Sequence, residues 1–154
     1  MSEHRLRAID LDQASLPSVS AEVEHERRVA IFDLLEANSF EPVGAAGGPY
    51  DLTLSVHEGR LVFDLKGPDF SKAYGLSMTP LNKAVKDYIE ICDSYYEALR
   101  GSSPSKIEAV DMGRRGLHNE GAELLKARLD GKIGLDHETA RRLFTLVTAL
   151  YRRG

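Results

Sequence analysis

The sequence predicts an α+β fold: a small antiparallel sheet with a β-hairpin at about 50–66, packed against a C-terminal set of helices. Three observations predict it. On both sides of Glu58-Gly59 apolar residues alternate with polar ones, the pattern of two paired strands with one covered face. From residue 80 onward the apolar spacing changes to three and four. Capping residues then divide that second half into separate helices.

Taken in order, Arg5 to Asp12 places Arg7, Ile9 and Leu11 on one side and Leu6, Ala8 and Asp10 on the other, a short strand with mixed faces that suits a sheet edge. After Pro17, Ser18 or Ser20 caps a helix whose first turn is acidic, with Val23, Ala30, Ile31, Leu34 and Leu35 as its apolar stripe and an end near Asn38. Phe40 and Val43 suit a short extended piece, and 44–49 is a Gly-rich loop. A two-residue turn at Glu58-Gly59 sets Val56 opposite Leu61, Leu54 opposite Phe63 and Leu52 opposite Leu65, with Asp51 opposite Lys66 on the other face. Tyr74, Leu76 and Met78 alternate once more, adding a strand.

Thr79-Pro80 reads as N-cap and first helical residue of a helix to residue 100, with Leu81, Val85, Tyr88, Cys92, Tyr95 and Leu99 along its stripe and Tyr96 widening it. This helix is expected to be central and to cover the sheet. Ser105 to Glu108 has capping-box spacing and opens another helix, which Gly113 and Gly116 interrupt or end before Leu117 to Leu129. Asp136 caps the last helix, buried along Ala140, Leu143, Phe144, Val147, Leu150 and Tyr151.

A chain of 154 residues with 42% apolar content builds one domain, 1–154, with a core that needs no disulfide or metal staple. The lone cysteine, Cys92, and a start without a signal-peptide core point to the reducing cytoplasm. The longest apolar-rich stretch, Leu143 to Tyr151, is too short to span a membrane, which needs roughly 18 residues. Charge is uneven. Residues 1–100 carry 10 basic and 17 acidic groups, and residues 101–154 carry 10 and 7. A surplus of three positive charges over the second part is too thin for a phosphate-backbone surface, so nucleic acid is not the expected partner.

The densest polar cluster is Asp111-Met112-Gly113-Arg114-Arg115-Gly116-Leu117-His118-Asn119-Glu120-Gly121. If a helix restarts after Gly116, its free amides converge with Arg114 and Arg115 on an anion, while His118 or Glu120 moves a proton. The alternative is structural: His118 points inward, Asn119 points away, and the arginines pair with Asp111 or Glu120. Because neighbouring helical residues point about 100° apart, a split is expected, with one arginine structural and the other exposed. His25, within Glu24-His25-Glu26-Arg27-Arg28, belongs either to an ion-paired solvated helix face or to a binding surface. Arg141, Arg142, Arg152 and Arg153 suit a helix C-terminus or an acidic neighbour. Tyr88, Tyr95 and Tyr96 read as core.

Metal and nucleophile templates fail. In His137-Glu138-Thr139-Ala140-Arg141 an arginine stands where a zinc-protease helix needs its second histidine. His118-Asn119-Glu120 lacks the paired cysteines of a zinc deaminase. Cys92 sits on an apolar stripe and reads as a core cysteine. The Gly44–Gly48 loop lacks the Lys-Ser/Thr of a phosphate loop. No cofactor and no metal is implied.

Glu24-His25-Glu26-Arg27, Gly48-Pro49-Tyr50, Asp87-Tyr88, Ser94-Tyr95-Tyr96-Glu97 and the segment Asp111 to Gly121 together resemble the bacterial uncharacterised protein family 0262, from about residue 5 to the end. The resemblance implies a small cytoplasmic bacterial protein, with no catalytic residues to carry over and a link to restraint of assembly of the actin-like protein MreB. The leading expectation is therefore a non-enzymatic protein-binding regulator. Two alternatives stay open: an anion or phosphate ligand domain or enzyme using Asp111–Glu120, and a structural homo-oligomer formed through a strand edge or an exposed helix face.

Overall fold

The computed structural model describes residues 3–152. In chain order they form β1 (Leu6–Leu11), a 3-10 turn at Gln13–Ser15, α1 (Ala21–Glu36), β2 (Phe40–Pro42), β3 (Tyr50–His57), β4 (Arg60–Gly67), β5 (Phe70–Ser77), α2 (Asn82–Leu99), α3 (Pro104–Leu129), β6 (Ile133–Leu135) and α4 (His137–Tyr151). The fold is α+β, and the hairpin has the register that its alternation dictates: Leu52 faces Leu65, Leu54 faces Phe63, Val56 faces Leu61 and Asp51 faces Lys66. Its turn residues both have positive φ, 50° at Glu58 and 76° at Gly59, which matches the turn to the right-handed twist of the strands.

β5 extends the hairpin antiparallel, but β1 joins the other side parallel to β3, so the sheet is mixed, in the order β1-β3-β4-β5. The parallel pairing follows from the connection, because α1 carries the chain back across the sheet before β3 begins. β1 is an edge, and Asn38 covers part of it. The Asn38 side chain accepts from the Leu6 amide and donates to the Leu6 carbonyl, copying a neighbouring strand. A second, two-stranded sheet pairs β2 with β6, a strand too short for its periodicity to show in the sequence.

Three helix boundaries depart from expectation. α2 begins at Asn82, because Met78 to Asn82 closes a turn through the Met78 carbonyl, with Met78 and Leu81 buried. α3 is capped by Ser103 with Pro104 in its first turn, instead of starting from Ser105. It then runs unbroken through Gly113 and Gly116.

The central helix is α4, not α2. It is buried from Leu146 through Leu150 without a gap and packs against α1, α2 and α3. A helix apolar on nearly every side belongs inside the molecule. Arg27, expected on a solvated face of α1, is instead 1% exposed. Its guanidinium donates to the Ala149 and Leu150 carbonyls at the end of α4, both at 3.3 Å. Arg142 of α4 returns the arrangement by donating to the Ala37 carbonyl at the end of α1, at 2.6 Å. Each of the two antiparallel helices thus caps the other's negative C-terminus with a cation. Arg27→Ala leaves buried carbonyls without their donor and a cavity beside them, and is expected to lower stability by about 2–5 kcal/mol in denaturant unfolding.

Candidate functional site

The cluster singled out in the sequence lies in the middle of α3. Because the helix is continuous, the amides around residue 117 are engaged in helical hydrogen bonds and offer no free N-terminus to an anion. Asp111 binds both arginines, with Arg114 at 2.6 Å and Arg115 at 3.0 Å. The expected split is present: the Arg114 side chain is 30% exposed and lies over the Tyr95 ring, whereas Arg115 is 69% exposed. Hydrogen bonding from Arg114 leads the causes that hold the Asp111 carboxyl below its ordinary range.

His118 is buried, in contact with the rings of Tyr88 and Phe144. Its Nε2 lies 2.8 Å from the Thr145 hydroxyl. That hydroxyl donates to the Arg141 carbonyl, which leaves its oxygen to accept from His118 as the neutral Nε2–H tautomer. Burial, followed by the charge of Arg141, pushes the imidazole down to about 4. Asn119 and Glu120 are exposed.

The glycines of this segment serve packing. A Cβ on Gly121 would overlap the Phe144 ring, and one on Gly113 would lie 2.9 Å from the Ile91 Cδ1. α3 therefore approaches α4 at Gly121 more closely than any other residue allows, whereas at Gly113 only the flexible end of the Ile91 side chain would have to give way. Gly116 faces open space.

An open concavity lies elsewhere. Between α1 and α2, over α4, is a groove of about 340 Å³. His25, Glu26, Val29 and Asp33 of α1 form one wall; Ile89, Cys92 and Tyr96 of α2 form the other; Thr145, Thr148 and Ala149 form the floor. Arg152 closes one end by pairing with Glu26 at 3.6 Å and with Asp93. Cys92 is only half-buried at this wall, yet burial pushes its thiol up, away from a reactive thiolate.

Of the binding residues proposed from sequence, only His25 lines this groove; Asp111, Arg114, Arg115, His118, Asn119 and Glu120 do not. Reading Tyr96 as core was wrong, since it is 56% exposed. Val29 and Phe32 were missed, although both fall off the buried stripe of α1, and an apolar residue on a polar helix face is the signal that would have found them. Among the described residues no group of three His, Cys, Asp or Glu is arranged to hold a metal, and no helix is long and apolar enough to cross a membrane. Arg153 lies outside the described residues.

Fold and site together define an α+β domain with an open interhelical groove and a packed helical scaffold behind it. The chain belongs to the Uncharacterised protein family (UPF0262), whose model matches residues 3–153. It is 55% identical over 152 residues to a UPF0262 protein of Phenylobacterium zucineum, covering 99% of this chain and 96% of that one. A UPF0262 protein of Caulobacter vibrioides is 55% identical over 153 residues, with 99% and 96% covered, and one of Brucella abortus is 57% identical over 153 residues, with 97% and 95% covered. No solved structure matches the chain.

Two glycine substitutions five residues apart in α3 should act in opposite directions in thermal melts. Gly121→Ala drives a methyl into Phe144 and should destabilise by about 1–3 kcal/mol. Gly116→Ala meets no atom and should stabilise by up to about 1 kcal/mol through helix propensity. His118 also sets a pH dependence. In the unfolded chain it ionises near 6.5 and in the folded protein near 4, so between those values the unfolded state binds the extra proton. Stability is expected to fall by roughly 3 kcal/mol as pH drops from about 6.5 to 4 and to be level in this respect above it. His118→Leu should flatten that part of the profile, measured by urea unfolding at each pH.

Proposed function

We propose that this protein is a non-enzymatic protein-binding regulator and that the α1/α2 groove is where it engages its partner. The carrying observation is where its large apolar side chains meet solvent. Of the six that are exposed among the described residues, Val29 on α1 and Tyr96 on α2 line the groove itself, and Phe32 and Leu99 stand outside its lining, three residues further along the same two helices. Single exposed apolar residues are ordinary on any surface, but a concentration of them around one concavity is the mark of an interaction site. Large aromatics such as Phe32 and Tyr96 are the side chains that dominate binding energy when a partner covers them.

The family resemblance points to MreB as one such partner, with restraint of filament assembly as the regulated step. Purified protein is expected to slow assembly of purified MreB in sedimentation and light-scattering assays, and Phe32→Glu with Tyr96→Glu to relieve the inhibition without lowering the melting temperature. Unchanged assembly would remove MreB as the partner. A pull-down from bacterial lysate that returned no specific protein with the folded domain would count against the regulator reading itself.

A further inference from the structure

We infer that the groove receives a basic amphipathic helix of a protein partner, lying between α1 and α2 along α4. The inference rests on the protein-binding reading above and specifies the chemistry of the occupant. α1 and α2 run alongside α4 in opposite directions. Arg27 near the start of α1 and Asp93 of α2 both meet the end of α4, while Ala37 after α1 and Tyr88 of α2 meet its earlier turns at Arg142 and Phe144. The two outer helices leave a trough whose base is made of small side chains, Ala30, Thr145, Thr148 and Ala149. Small residues at a base let an incoming helix approach closely. From Thr145 to Arg152 the base is about 10 Å long, so it admits about two helical turns. An occupant of that length engages it with apolar residues at i, i+3 or i+4, and i+7 against Val29, Ile89 and Tyr96.

Charge selects among occupants. The rim carries Glu26 and Asp33 on α1 and Asp93 on α2, against the single guanidinium of Arg152 at the closed end. Arg152 is shared between Glu26 and Asp93. Asp33, on the open side, takes part in none of the ion pairs among the described residues. A second copy would bring the same acidic rim against itself, and phosphate-bearing partners would meet carboxylates at the mouth. A helix with Lys or Arg flanking its apolar stripe satisfies both the walls and Asp33. Cys92, the only cysteine in the chain, stands in the wall and reports occupancy directly.

The test uses the full-length protein and two synthetic fluorescent peptides of about four helical turns. One carries a Leu stripe at i, i+3, i+4 and i+7 flanked by Lys; in its twin every Lys is Glu. Fluorescence anisotropy is expected to show the Lys peptide binding at least tenfold more tightly. Val29→Glu should abolish binding, and Asp33→Lys should weaken the Lys peptide at least tenfold while improving its twin. Arg115→Ala, on α3, should change nothing. Because Val29 and Asp33 are exposed, melting temperatures of these variants should stay close to that of the parent protein. Saturating Lys peptide should slow alkylation of Cys92 several-fold. No binding of the Lys peptide, equal binding of both peptides, or binding indifferent to Val29→Glu and Asp33→Lys with unaltered Cys92 reactivity would overturn the inference. A protein partner still captured by the Val29→Glu variant would refute the groove as its seat and leave the regulator reading standing. Groove binding of the Lys peptide alongside a lysate that yields no specific partner would do the reverse.

Discussion

The rest of the structure is organised by the need to bury α4. Nine of its fifteen residues are withdrawn from water, on almost every side of the helix, so no single neighbour can cover it. α1, α2 and α3 each take a side, and the sheet joins the same core through Leu52, Leu54, Phe63 and Leu65. Hydrophobic burial has no direction of its own, and it is the polar ends of the helices that fix the alignment. The reciprocal arginines do this for α1 and α4, since the last carbonyls of each helix find donors only when the two run antiparallel and in register. Arg27 is accommodated in a buried place because two carbonyls at the negative end of α4 replace its water.

Behind that hub, the Asp111–Gly121 segment is a scaffold built for close approach. Gly121 makes room for the Phe144 ring, Gly113 for Ile91, and His118 fills the space between Tyr88 and Phe144 while its ring nitrogen bonds Thr145. A neutral histidine satisfies this position better than a charged one, because desolvation and the nearby Arg141 both oppose protonation. The outer face of the segment carries a carboxylate shared by two arginines. Such an arrangement ties the helix surface together across one turn and leaves one net positive charge on it.

The groove is the complement of the same packing. α1 and α2 both press on α4, but the space over it between them stays open, and Arg152 bridges the two helices only at one end. Its floor and walls stand on three helices, two of which pack directly on the third. Its walls hold the exposed valine and tyrosine that a well-covered helix pair would have hidden.

The sequence by itself determined the elements whose signals are local. The hairpin register followed from period-two alternation and a two-residue turn; the Asp136 cap, most of the buried stripe of α4 and the α+β class followed from side chains within a turn or two of one another, whereas the choice of Ser20 over Ser18 as the cap of α1 came from the structure. Family membership was legible too, because the Asp111–Gly121 string is long and specific. Tertiary structure alone decided the parallel placement of β1, the pairing of β2 with β6, the burial of Arg27 and the continuity of α3. In each case the partner is distant in the chain. A glycine that breaks a helix and one that admits a neighbouring ring look alike in sequence, and only Phe144, 23 residues on, distinguishes them. The same holds for Val29 and Tyr96: helical spacing describes a face, and whether anything covers that face is settled by where the other helices pack.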